Sequence, residues 1–230
     1  MRLLSAIKSD IIFQFRQGFY IIYIVICIAY MVGLSWIPNP GLKYVVPLVV
    51  FSDPAVLGLF FIGGIIMLEK VQGVIQAVVV TPLSTREFIQ SKVISLSIIS
   101  ILAGIIITRL TYIGNVKWII LVIALVLTSS LFTLCGLVIG AKCKTVNQYF
   151  VKIIPVMLLF IIPCFSIIGF KYSYFLTLFP SVAALRLLLG AYLDMGGLEQ
   201  FFLICYLLII NYGLLLHTEK VFDKYVVYGG

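Results

Sequence analysis

Charge is scarce in this sequence. Only 24 of its 230 residues are Asp, Glu, Lys or Arg, while 63% are hydrophobic and the mean hydropathy is +1.23. Soluble domains average about 45–50% apolar and ~25% charged residues, so there are too few polar side chains here to cover a water-soluble core. That excludes a soluble globular fold and leaves an all-α integral membrane protein. No soluble-looking stretch approaches the ~50–250 residues of an independent domain, so residues 1–230 read as one transmembrane domain.

Other scarcities exclude chemistry. His217 is the only histidine, which rules out a two-histidine metal site and suits a headgroup-level imidazole better than a catalyst. Cys27, Cys135, Cys143, Cys164 and Cys205 contain no Cys-x-x-Cys, so neither a zinc site nor a disulfide framework follows. In apolar runs a thiol behaves as a small hydrophobe. No Gly-x-x-x-x-Gly-Lys-Ser/Thr run is present to cradle phosphates. Gly140-Ala141-Lys142-Cys143-Lys144-Thr145 echoes one with the wrong spacing. The chain therefore has no catalytic residues, binds no cofactor or metal itself, and has no ATP site of its own. Paired intramembrane carboxylates are lacking too: only Asp53 approaches membrane depth. An ionisable group there is a functional candidate, though Asp53 also reads as the N-cap of a helix starting at Pro54. The net charge of +8 sits in short loops and signals topology, not nucleic acid.

What is present is a succession of apolar runs. Residues 1–18 place Leu3, Leu4, Ile7, Ile11, Ile12 and Phe15 at helical spacing, with Arg2, Lys8, Asp10, Gln14 and Arg16 elsewhere on the wheel. This predicts an amphipathic helix lying in the membrane interface. Six spans follow, since a helix needs ~20 apolar residues to cross a bilayer: about 19–37, 54–68, 88–108, 118–141, 153–170 and 198–216. Pro38-Asn39-Pro40-Gly41 reads as a turn and 42–52 as a short element at the outer surface. Phe179-Pro180 opens a helical run, Val182–Leu193, whose one charge is Arg186. It reads as a re-entrant or surface-lying outer helix, so Asp53, Phe179, Pro180 and Arg186 are candidates for an outer gate or pathway. Arg186 also reads as a headgroup anchor. Lys and Arg divide into 11 on one side (Arg2, Lys8, Arg16, Lys70, Arg86, Lys92, Lys142, Lys144, Lys152, Lys220, Lys224) and 5 on the other (Lys43, Arg109, Lys117, Lys171, Arg186). The positive-inside rule then puts both termini in the cytosol.

The longest polar interruption runs from Glu69 to Lys92 and holds five charges in 24 positions. Val71, Val74, Ile75, Val78 and Val79 recur at helical spacing from Leu68 to about Val80, and Pro82 stops that helix. Ser84-Thr85-Arg86-Glu87 is a capping-box pattern leading into the third span. A short cytosolic helix over about 69–80 is suited to receive force, although an ordinary loop with one helical turn fits the composition as well.

Leu68-Glu69-Lys70-Val71-Gln72-Gly73, Thr81-Pro82-Leu83-Ser84, Glu87, Lys92 and Phe179-Pro180-Ser181-Val182-Ala183-Ala184-Leu185-Arg186 resemble the motifs of type-2 ATP-binding-cassette exporter permeases. Phe51-Ser52-Asp53-Pro54 and Phe61-Ile62-Gly63-Gly64 are most similar to the small bacterial fluoroquinolone-export permease subgroup. The resemblance covers nearly the whole chain. It implies a separate cytosolic ATPase subunit that holds ATP and Mg, a second permease copy or paralogue, and residence in the bacterial cytoplasmic membrane. It also implies a coupling helix, with Glu69, Lys70, Gln72, Gly73, Gln76, Pro82, Arg86 and Glu87 as the ATPase-coupling residues. Gly58, Gly63 and Gly64 are expected at the permease–permease contact, by the small-residue rule. The expected cargo is amphipathic or hydrophobic: a drug, a peptide or a lipid. A non-transporting scaffold or a peptide-binding immunity protein would use the same spans.

Overall fold

The computed structural model describes residues 2–52, 56–75, 83–167 and 178–227, and within them the backbone forms helices and no strand. In chain order the helices are α1 (Arg2–Arg16), α2 (Phe19–Leu34), α3 (Asn39–Val50), α4 (Val56–Val71), α5 (Thr85–Thr111), α6 (Trp118–Ala141), α7 (Val146–Ile161), α8 (Pro180–Tyr192) and α9 (Gly197–Phe222). A 3-10 turn, Ile162–Ile167, extends α7. Among the described residues four helical segments are long and apolar enough to cross a bilayer: Thr85–Thr111, Trp118–Ala141, Val146–Cys164 and Gly197–Val226. Counting the bent pair α1–α2 as one brings the number to five.

The axis of the bundle is α6. It carries no charge, as suits a helix that other helices cover over most of its surface. Its most apolar stretch is 67% buried, against 22% for α9 and 11% for Val146–Cys164. The most extensive helix contacts join it to α4, α5 and α9. Small residues permit the close approach: a Cβ on Gly58 would meet Thr133 Oγ1 at 3.5 Å, and one on Gly136 would meet the Leu59 carbonyl at 3.0 Å.

Helix α1 ends where Gly18 adopts φ +78, a conformation glycine accepts without strain. The chain bends there by 64° into α2. Leu4, Ile12 and Phe15 are exposed, whereas the buried residues of α1 are Asp10 and Gln14. The apolar face of α1 thus turns away from the protein, and a polar face four residues long turns into it.

Two expectations change. Pro38-Asn39-Pro40-Gly41 does not end in a turn: α3 begins at Asn39, since a proline in the first helical turn removes only an N–H that has no partner anyway. Leu42, Val46 and Val50 on α3 are buried, and α3 packs against α8 and α5. In turn, α8 does not lie on a surface. Ser181 to Leu185 and Leu187 to Tyr192 are all buried, against α3, α6 and α9. At this end Lys117 N–H donates to Ala191 O at 2.9 Å, and the Thr108 and Tyr192 hydroxyls meet at 2.6 Å.

Candidate functional site

The last turn of α4 sets the site. Adjacent positions on a helix diverge by about 100°, so Glu69 and Lys70 leave α4 toward different neighbours. Lys70 Nζ donates to Gly140 O at 3.0 Å, Ala141 O at 3.1 Å and Cys143 O at 2.8 Å. These are carbonyls at the close of α6, where helical donors run out and the negative end of the helix dipole lies; Gly140 O also accepts from Cys143 N–H at 3.2 Å. One lysine thereby fastens the end of α4 to the end of α6.

Glu69 turns to α5. Its Oε1 accepts from Lys92 Nζ, and the same ammonium donates to Asp10 Oδ1 at 2.5 Å. Lys92 is 1% exposed, Glu69 2% and Asp10 8%. The helical repeat supplies the remaining contacts, because residues four apart share a face. Asp10 and Gln14 on α1 face Ser91 and Ser95 on α5. Ser91 Oγ donates to Asp10 Oδ2 at 2.6 Å and lies 2.8 Å from Phe88 O, and Gln14 Nε2 donates to Ser95 Oγ at 2.8 Å. Lys92 Nζ also stands 4.9 Å from the centre of the Phe88 ring. The result is a three-charge joint that holds α1, α4 and α5 together away from water. Removing one member of a buried ion pair costs about 3–5 kcal/mol, because the other charge stays behind unpaired. Among the described residues, two acceptors in the joint have no hydrogen-bond partner: Glu69 Oε2 and Gln14 Oε1.

Beyond Glu69 the helix stops. Gln72 N–H donates to Leu68 O at 2.9 Å and Gly73 N–H to Lys70 O at 3.3 Å, with Gly73 at φ +70. This is a glycine-ended helix terminus. Glu69 and Lys70 therefore belong to α4 and not to a separate helix starting at 69; the break comes at Gly73. Val71 (85% exposed) and Gln72 form the outward surface of this turn. Gln76 and Pro82 lie outside the described residues.

The capping box is present at the start of α5. Glu87 N–H donates to Ser84 Oγ at 3.2 Å, and Ser84 N–H donates to Glu87 Oε2 at 2.9 Å. Glu87 is thus committed to its own helix, while Arg86 is exposed. Thr85 Oγ1 donates to Asp223 Oδ1 at 2.6 Å, and the Phe88 and Phe222 rings lie 5.3 Å apart, which ties α5 to the close of α9. So α1, the end of α4, the start of α5, the end of α6 and the end of α9 gather at one end of the bundle.

The other expected residues are dispersed. Asp53 lies outside the described residues. Phe179 is the N-cap position of α8 without a side-chain cap bond, and Pro180 is its first residue. Arg186 forms an ion pair with Glu199 at the start of α9. It fastens α8 to α9. Of the three glycines, Gly58 faces α6 and Gly63 lies under the Tyr149 ring of α7, whose hydroxyl donates to Leu59 O. Only Gly64 has open space beside it. Asp10, Gln14, Ser91 and Ser95 were missed as site residues. The signal that pointed to them is Lys92, a charge four residues inside an apolar run and flanked by serines.

Apolar helices of spanning length packed around a buried charged joint describe an all-helical, multi-pass membrane protein. The family model for the fluoroquinolones export permease protein family matches residues 1–229, and the chain belongs to that family. Similar curated relatives are the fluoroquinolones export permease proteins of two Mycobacterium tuberculosis strains, CDC 1551 / Oshkosh and ATCC 25618 / H37Rv. Each is 29% identical over 98% of this chain and 97% of its own length.

Proposed function

We propose that this chain is the membrane-spanning subunit of an ATP-driven exporter, with six spans (α2, α4, α5, α6, α7 and α9), and that a separate ATPase subunit docks on its cytosolic end. The observation that carries the reading is the pairing of an exposed turn, Val71–Gly73, with a buried joint at Glu69, two residues further in. A push on the turn is applied to α4. It reaches α5 and α1 through Glu69, Lys92 and Asp10, and α6 through Lys70. Contacts of this kind transmit displacement because they are short, charged and shielded from water. The excess of Lys and Arg at this end supports a cytosolic orientation in the bacterial cytoplasmic membrane.

In this reading the docking surface comprises Val71, Gln72, Gly73, Gln76 and Arg86. Glu69 and Lys70 act behind it as positioning residues. Pro82 and Glu87 set the entry into α5. A second permease copy meets this one along a face that includes Gly64. The cargo is amphipathic or hydrophobic, a reading supported by relatives named for fluoroquinolone export and by apolar spans with few charges. Asp53, Phe179 and Pro180 remain candidates for the outer exit.

The test is co-purification of the tagged chain from its own host. An ATPase subunit carrying a phosphate-binding loop should come with it, and Gln72→Ala with Arg86→Glu should release that subunit without lowering insertion. Recovery of the permease with no ATPase under mild detergent would favour a non-transporting scaffold. ATP turnover by the chain alone would contradict the two-subunit reading outright.

A further inference from the structure

At the end of the bundle away from the joint, the close of α5, the start of α6 and the close of α8 enclose a cavity of about 390 Å³. We infer that it seats the phosphate of an anionic phospholipid, in the leaflet on that side of the membrane. The charges of its lining do not balance. Arg109 and Lys117 line it, and Asp194 is the one acidic residue among its walls. Lys117 stands 3.6 Å from Asp194, and an exposed pair so loosely held contributes little. Arg109 forms no ion pair with a described residue, whereas Arg186, the other arginine of this end, is taken by Glu199. One cation is therefore in excess, and it is a guanidinium. Its planar fork matches two oxygens of a phosphate, and the Lys117 ammonium adds a point charge beside it.

The seat is held in place by its own packing. Lys117 N–H donates to Ala191 O at 2.9 Å, and the Tyr112 and Tyr192 rings meet edge to face at 5.4 Å. Gly114 lies so close to the Tyr112 ring that a Cβ there would come within 2.7 Å of it. The surroundings select a lipid over a free phosphate. The loop after α5 joins two segments of spanning length, Thr85–Thr111 and Trp118–Ala141, so it stands at a membrane face. Tyr112 and Trp118 in the lining suit headgroup level. Leu110, Ile113 and Ile119 beside them are exposed and offer acyl chains an apolar surface. Basic pockets between membrane helices take anionic headgroups in this way. The inference needs the membrane fold and does not require the ATPase reading.

The experiment reads the fluorescence of Trp118. The chain has two tryptophans, so Trp36→Phe leaves Trp118 alone in the full-length protein. In phosphatidylcholine nanodiscs it is titrated with phosphatidylglycerol carrying brominated acyl chains, which quench indole on contact, and separately with brominated phosphatidylcholine. Quenching by phosphatidylglycerol should saturate, at a mole fraction at least tenfold lower than phosphatidylcholine needs. Arg109→Gln with Lys117→Gln should erase that advantage. Lys144→Gln with Lys152→Gln, two exposed lysines at the other end, should leave it intact. Asp194→Asn, which frees Lys117, should strengthen it. Glycerol phosphate, the headgroup without its tails, should not relieve the quenching. Equal quenching by the two lipids, an advantage that survives loss of Arg109 and Lys117, or an equal loss on removing Lys144 and Lys152 would each overturn the proposal. Relief by glycerol phosphate would overturn the lipid and leave a site for free phosphate.

Discussion

At the end of the bundle where α1 and the close of α9 both meet α5, Lys92 is 1% exposed and reaches two carboxylates from two other helices. At the opposite end Lys117 approaches Asp194 at 3.6 Å, with side chains 45% and 106% exposed. There the helices are joined instead by small apolar residues of α8, by Arg186–Glu199, and by the Thr108–Tyr192 hydroxyl contact. One end holds charges away from water, where a broken contact is expensive. The other seals itself with packing and leaves most of its charge outside. In the exporter proposed above, the first end suits the part that passes on a displacement, because its contacts do not slip.

The largest effect that can break this contrast is Lys92→Met. It leaves Asp10 and Glu69 buried without a counter-charge, and destabilisation of about 3–5 kcal/mol is expected, read as loss of folded protein on thermal unfolding in detergent. The triple change Asp10→Asn, Glu69→Gln, Lys92→Met should recover most of that loss. A single variant as stable as wild type would remove the joint from the account. Next comes Lys70→Ala, which takes the ammonium away from three carbonyls at the close of α6, at about 1–3 kcal/mol. Its signature is faster amide exchange confined to Gly140–Cys143.

Gly63→Ala sharpens the comparison within the core. Its Cβ would meet the Tyr149 ring, so overpacking of about 1–3 kcal/mol is expected. Gly64→Ala, with nothing within 4 Å, should leave the unfolding midpoint of the isolated chain unchanged. Smallest of all is Lys117→Ala at the opposite end. An exposed pair is worth about 0–1 kcal/mol, so its unfolding midpoint should stay within error of wild type. A large loss there would erase the distinction between the two ends.

The sequence displayed some of this and concealed the rest for identifiable reasons. Helix entry at Ser84–Glu87 is local, three residues apart, and the capping box was legible. So was helix α1 itself, from its apolar spacing. The joint was not, because Lys92 finds its partners 23 and 82 residues away, on helices whose rotation no local pattern fixes. Glu69 and Lys70 looked like the opening of a polar bridge because charge usually marks a helix leaving the membrane. Here both side chains bond other helices inside the protein, and the helix ends just before Gly73. The prolines before α3 read as a turn, although proline is tolerated in a first helical turn. Gly58 and Gly63 carried the signal of close approach correctly, but not the identity of the approaching helix. Small residues report a short distance, and within this chain α6 and Tyr149 occupy it.

The central claim is that Glu69 and Lys92 act as one joint between the exposed turn and the helices behind it. The most direct measurement is a double-mutant cycle on transport per ATP hydrolysed, using the reconstituted permease–ATPase complex and a neutral fluorescent cargo. Glu69→Gln and Lys92→Met should each lower that ratio about tenfold while the ATPase stays bound, and the double variant should be no worse than either single one, as expected for residues in direct contact. Losses that multiply in the double variant, or a ratio unchanged by either substitution, would contradict it.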